Sequence, residues 1–140
     1  MAEVLDRDEV KKLKILNSVQ RASGYDIVSI SEGEAKVVFL LEQAQTMENS
    51  TTVFEGEIYK AANFTALVAV NEENNFVINA NIDFLSQVEV SSKEIVFEAK
   101  SLSSSLGKKF VEVTGMIDDI KIFIGSFTIL KLDARSKLKI

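Results

Sequence analysis

The residues able to do chemistry gather in one stretch, Val53 to Val70, VFEGEIYKAANFTALVAV, where Glu55, Gly56, Glu57 and Asn63 stand among apolar and small side chains. Elimination gives these few groups their weight. The chain has no cysteine and no histidine, which excludes disulfides, thiolate nucleophiles and thiolate metal sites, and removes the commonest general base and metal ligand. No metal site and no required cofactor is expected. Catalysis would have to draw on carboxylates, hydroxyls, amides, lysines or backbone N–H groups, a set that permits acid–base or nucleophilic work by an Asp or Glu. Glu55 and Glu57 have a second, plainer reading as helix N-terminal carboxylates favoured by the dipole. Asn63 is either a buried amide with a hydrogen-bond partner or a group that orients ligand or water.

The stretch itself reads as a helix, apolar or small almost all round, with Lys60 its only basic residue. A helix apolar on every side must be buried, and the flanking sequence supplies strands to bury it. Tyr25 to Ser31 and Glu34 to Glu42 form a hairpin across Gly33, which supplies the positive φ. Gln43 to Thr52 is a polar connection whose Ser50, Thr51 and Thr52 are candidate caps for the helix. After the turn-rich Asn71 to Asn75 come strand patterns at Phe76 to Leu85, Glu94 to Leu102, Lys109 to Ile117 and Ile120 to Leu132. In the first of these Phe76, Ile78, Ala80, Ile82 and Phe84 share one face, opposite Asn79, Asn81 and Asp83. The last is apolar on both faces, as an internal strand or one at a subunit contact would be. Ala61, Ala62, Ala66 and Ala69 are packing residues that let a sheet close on the helix.

Ahead of these, Asp6 to Ser23 has helical periodicity, with Asp6 and Glu9 spaced as a cap and Leu13, Leu16 and Val19 on one face. The expected division is an N-terminal helical segment over 1–23, one domain over 24–132 and a basic tail over 133–140. A chain of 140 residues fits a single core. Net charge of −5 argues against nonspecific nucleic-acid binding, although lysines concentrate after residue 99 and a local patch there could hold a phosphorylated small molecule. Neither a membrane span nor a signal peptide is apparent, so the cytoplasm is the expected compartment. Proline is absent, leaving strand edges without that protection; a dimer would cover them.

One helix after a first hairpin, followed by an antiparallel meander, is an α+β architecture. Three segments add detail: FEGEIYKAAN at the helix start, NIDFLSQV at the end of a strand, and SSSLGKKFVEVTG around a glycine-centred turn. In that order they resemble the hot-dog fold of acyl-CoA thioesterases and dehydratases, a long helix wrapped by a six-stranded antiparallel sheet, and in particular its PaaI-like branch. The chain is also similar to an epsilonproteobacterial hot-dog group named for flagellar co-regulation and virulence. Where family members have a His-Gly-Gly turn opening the helix this chain has FEGE, and Ser86 and Gln87 replace an arginine and a proline of the family's strand segment.

The resemblance implies a homodimer with a ligand groove between subunits, in which backbone N–H groups at the helix start polarise a thioester carbonyl and a helix carboxylate completes the site. Aligning Gly56 with the second turn glycine puts Phe54 at the histidine and Asn63 at the acid; shifting by one puts Glu55 and Phe64 there. Asn63 can neither take a proton nor attack at neutral pH, which leaves Glu57 as the substitute carboxylate. By the same resemblance Phe54, Ile58, Phe84 and Leu85 line an acyl tunnel, and Gly107, Lys108 and Lys109 contact CoA phosphates, with Lys93 and Arg135 as weaker choices. Each of these has an alternative as core or surface. The expectation is therefore a protein of fatty-acid metabolism or virulence regulation that binds acyl-CoA with weak or no thioesterase activity. The alternatives are an active thioesterase using Glu57, and a non-catalytic interaction module acting through its N-terminal helix or basic tail.

Overall fold

The computed structural model describes residues 24–131. The expected N-terminal helix, the tail and Leu132 lie outside the described residues. Six strands form one antiparallel sheet: β1 Tyr25–Ser31, β2 Glu34–Leu40, β3 Asn75–Phe84, β4 Glu94–Ser105, β5 Lys108–Ile117 and β6 Ile120–Lys131. The helix α1, Glu55–Val70, comes between β2 and β3. Spatial order is β1-β2-β4-β5-β6-β3, so β1 and β3 are the edges and β6, apolar on both faces, is internal.

Turn chemistry fixes the meander. Leu106 and Gly107 join β4 to β5, and Asp118 and Asp119 join β5 to β6, with all four residues at positive φ. Paired positive φ gives the tight turn whose twist matches that of the strands. The sheet curls over α1, burying Val37, Phe39, Ile95, Phe97, Val113, Phe123 and Phe127 against Ile58, Ala61, Ala62, Ala66 and Ala69. Small helix residues allow that close approach. Thr65, fully buried on the same side, donates its hydroxyl to the Ala61 carbonyl at 2.7 Å, so its polar atom is satisfied within the helix. Gly115 admits Phe97: a Cβ at this position would lie 2.8 Å from the Phe97 ring.

Three local expectations change. The last residues of the second strand pattern, Leu41 and Glu42, instead enter a short 3-10 helix, Leu41–Gln43. In β3 the pairing with β6 shifts register between Val77 and Asn79, so a bulge interrupts the alternation. Val77, Ala80 and Ile82 then pack against the core while Ile78 is exposed. Finally, α1 starts at Glu55 with Phe54 in the cap position and no side-chain cap; Thr51 and Thr52 bond elsewhere.

Candidate functional site at the start of α1

Their partner is Glu89. The hydroxyls of Thr51 and Thr52 donate to its two carboxylate oxygens at 2.7 and 2.8 Å, which lowers the Glu89 pKa from its ordinary value. Backbone bonds reinforce the clamp: Val53 N–H donates to Val88 O at 2.7 Å, Val90 N–H to Thr51 O at 3.0 Å, and Phe54 N–H to Gln45 O at 2.9 Å. The loop entering α1 is thereby stitched to the loop leaving β3, and the helix start is held in place.

At 3.6 residues per turn, Gly56, Lys60 and Asn63 fall on one line along the helix surface. This line is the least buried part of α1: Gly56 and Asn63 are half-buried and Lys60 is exposed. The Asn63 side chain makes no hydrogen bond among the described residues, so it is neither fully buried nor bonded to a neighbouring strand. Lys60 is paired with Glu57 at 3.2 Å. The Phe54 ring lies across Gly56, where a Cβ would come within 2.4 Å of it. Glycine here accommodates the ring.

Glu57 and Asn63 are six residues apart, which places them about a third of a turn from each other around the helix. Glu57 faces toward Tyr25, a residue the sequence reading did not single out. The Tyr25 ring stacks on Phe64 at 5.0 Å and meets the edge of Phe39 at 5.2 Å, and its hydroxyl is buried with no hydrogen-bond partner. Burial, and secondarily the Glu57 charge, raise its pKa far above the usual tyrosine value.

The remaining expected residues divide between the two ends of the molecule. Phe54, Phe84 and Leu85 are exposed at the helix-start end, Phe84 against the edge of Phe123 at 5.6 Å. Ile58 is 1% exposed and faces the core. Lys93 is exposed at positive φ, next to the 3-10 helix Val90–Ser92. Gly107, Lys108 and Lys109 are at the β4–β5 turn, beside the other end of α1; a helix of 16 residues puts them about 24 Å along its axis from the start. Arg135 lies outside the described residues. Among the described residues no group of three or more Asp or Glu side chains is arranged to hold a metal ion, and no helix is long and apolar enough to cross a membrane.

No protein-family model matches the chain. Over 107 residues, 76% of the chain, it is 31% identical to a methylthioribose-1-phosphate isomerase of Aquifex aeolicus, spanning about a quarter, 23%, of that protein's length. Among solved structures it is similar to a Helicobacter felis homologue of HP0420, with 28% identity, TM-score 0.77, and 87% of this chain and 99% of the other covered. Cj0977, a sigma28-regulated virulence protein of Campylobacter jejuni, superposes with TM-score 0.80 at 22% identity, covering 94% and 93%. A Streptococcus pneumoniae protein described as a hypothetical thioesterase and solved with coenzyme A matches in fold, with TM-score 0.69, 11% identity, and 80% and 88% covered. The single helix against a six-stranded antiparallel sheet and these superpositions agree, and the chain is a hot-dog protein with the fold of the PaaI-like group.

Proposed function

We propose that the protein is a homodimer that binds acyl-CoA or a related acyl thioester and hydrolyses it slowly or not at all. The observation that carries this reading is the line Gly56, Lys60, Asn63. At its head the orphan N–H groups of the helix start favour a polarised carbonyl. Two turns on, where a carboxylate would be needed, stands an amide without a hydrogen-bond partner among the described residues, able to orient a carbonyl or a water and unable to accept a proton. Lys60, between them, is engaged by Glu57 at 3.2 Å. A thioester bound there is held and polarised without being attacked, which suits a sensor or carrier. Virulence, the setting named for the Campylobacter protein, is one place for such a use.

The edge strand β3 supports the dimer. Its outer backbone groups are unpaired, and Ile78, Phe84 and Leu85 are exposed along it. Antiparallel pairing of two such edges would bring the Gly107–Lys109 turn of one subunit toward the helix start of the other, so a ligand of CoA length could touch both. The coenzyme A held by the Streptococcus protein supports the ligand class. Isomerisation of methylthioribose 1-phosphate is not part of the proposal, because the Aquifex match spans 23% of that protein.

Native mass spectrometry with acyl-CoAs of several chain lengths is expected to show a dimer carrying acyl-CoA; absence of any adduct at every length ends the reading. Asn63→Asp is expected to raise release of free CoA by about 10²-fold or more by supplying a general base. A second reading, turnover by Glu57, is favoured by its side chain being 13% exposed and close to the buried Tyr25 hydroxyl. Under that reading Glu57→Gln abolishes CoA release, whereas equal rates in wild type and variant retain the binder.

A further inference from the structure

Lys60 is the one basic residue of α1, and it stands on the least buried line of the helix, four residues and about 6 Å along the axis from Gly56. Its ammonium is held by the Glu57 carboxylate at 3.2 Å. The pair is uneven, with the Lys60 side chain 56% exposed and the Glu57 side chain 13% exposed. Glu57 also faces Tyr25, which is 6% exposed and has its ring fixed by Phe64 and Phe39. The Tyr25 hydroxyl is buried without a hydrogen-bond partner, although the Glu57 charge is near enough to act on it. A buried donor left unpaired is unfavourable until something accepts from it. Glu57 therefore stands between two donors, one paired and in solvent, the other unpaired and buried. The glutamate can turn about its side-chain bonds, whereas the stacked tyrosine ring cannot follow.

With the CoA phosphates at the Gly107–Lys109 turn, the Lys60 ammonium is left for the acyl end of the ligand. A plain hydrocarbon chain would give it nothing to bind. We propose that the acyl group carries a carboxylate of its own, so that the ligand is the CoA half-thioester of a short dicarboxylic acid. This inference rests on thioester binding at the helix start. When the thioester carbonyl meets the N–H groups at Gly56, the free carboxylate reaches Lys60 one turn along, and Glu57 turns from Lys60 to Tyr25. Pairing is conserved in that exchange. The ligand carboxylate takes the ammonium, and Glu57 accepts a charge-assisted hydrogen bond from the hydroxyl that has no acceptor in the unliganded protein. An uncharged acyl chain leaves the Tyr25 hydroxyl unpaired.

Calorimetric titration of the full-length protein with glutaryl-CoA and with valeryl-CoA tests this, since the two acyl groups have the same carbon number and differ in the terminal carboxylate. Glutaryl-CoA is expected to bind about tenfold tighter or more. That preference is expected to fall to about unity in Lys60→Gln, and by about threefold or more in Tyr25→Phe, which keeps the ring and removes only the hydroxyl. Tm is not expected to fall in Tyr25→Phe, because the lost hydroxyl had no partner. Glu57→Gln is expected to act in the opposite direction, tightening glutaryl-CoA by removing the carboxylate that competes for Lys60. Equal affinity of wild type for the two thioesters overturns the inference and leaves thioester binding intact, whereas no binding of either overturns both together. A glutaryl preference that survives Lys60→Gln, or that Tyr25→Phe leaves unchanged, also overturns it.

Discussion

At its C-terminal end α1 closes on Asn71, held in the left-handed conformation at φ 50° and ψ 50° with its N–H on the Leu67 carbonyl at 2.9 Å. At its N-terminal end the cap position belongs to Phe54, whose side chain accepts nothing. The C-terminal end follows the usual rules for ending a helix. The N-terminal end departs from them although Thr51 and Thr52 stand three and two residues before the cap position, their hydroxyls committed to Glu89. The contrast teaches where local stability has been given up: the N–H groups at the helix start are left without a side-chain acceptor. Sites that bind are often less stable than the fold would allow.

The comparison assumes that both ends hang on one shared core, and the sharpest way to break it is to remove that core. Phe123 is fully buried and packs against Phe97 at 6.0 Å and Phe84 at 5.6 Å. Phe123→Ala is expected to cost about 3–5 kcal/mol, from lost burial and the cavity left behind. Hydrogen exchange should then quicken together at both ends of α1. Exchange that rises at one end alone would show two separately stabilised halves.

Phe54→Asp addresses the departure itself. It places a carboxylate where it can accept from the first-turn N–H groups, and Phe54 is 44% exposed, so little packing is lost. Stability is expected to rise by about 1 kcal/mol in chemical denaturation, while acyl-CoA affinity falls because the same N–H groups are now occupied. A stability gain with affinity unchanged would separate the N–H groups from ligand binding. The mirror experiment, Asn71→Ala at the well-finished end, forces an alanine into left-handed backbone and is expected to cost about 1 kcal/mol with affinity unaltered.

How far these ends could be read from sequence follows from the range of the forces involved. The alternation in β2, β4 and β5, the turn at Gly107 and the apolar helix are set by neighbouring residues, and their placement as a hot-dog fold was legible. The bulge in β3 was not, because the extra residue is fixed by pairing with β6, more than forty residues away. Glu89 is separated from Thr52 by 37 positions, and no local pattern marks it as their acceptor; the hydroxyls looked like caps because caps are what adjacent Ser and Thr usually provide. Asn75 lay in a turn-forming run of Asn and Glu, where an asparagine needs no further explanation, and only the fold reveals that its amide is buried without a partner. Tyr25 opened a strand pattern and carried no sign of the Glu57 carboxylate that α1 turns toward it. The alignment of Gly56 with Asn63 was legible, since seven residues is two helical turns.

The smallest effect concerns the clamp that only the helix-start end possesses. Bonds from Thr51 and Thr52 hold the Glu89 pKa below its ordinary value of 4.5. A carboxylate with a depressed folded-state pKa contributes stability that is complete above its unfolded value and is lost as pH falls through the folded one. Glu89→Gln keeps one acceptor oxygen and does not titrate. At pH 7 the wild type is therefore expected to melt slightly higher than the variant, and the gap in Tm should narrow below about pH 4, near and under the unfolded carboxylate pKa. Thr51 and Thr52 are neutral and Glu89 has no salt bridge among the described residues, so the narrowing tracks the two hydroxyl bonds. A Tm gap that stays constant down to acid pH would mean that the loops before α1 and after β3 are joined by their backbone bonds alone.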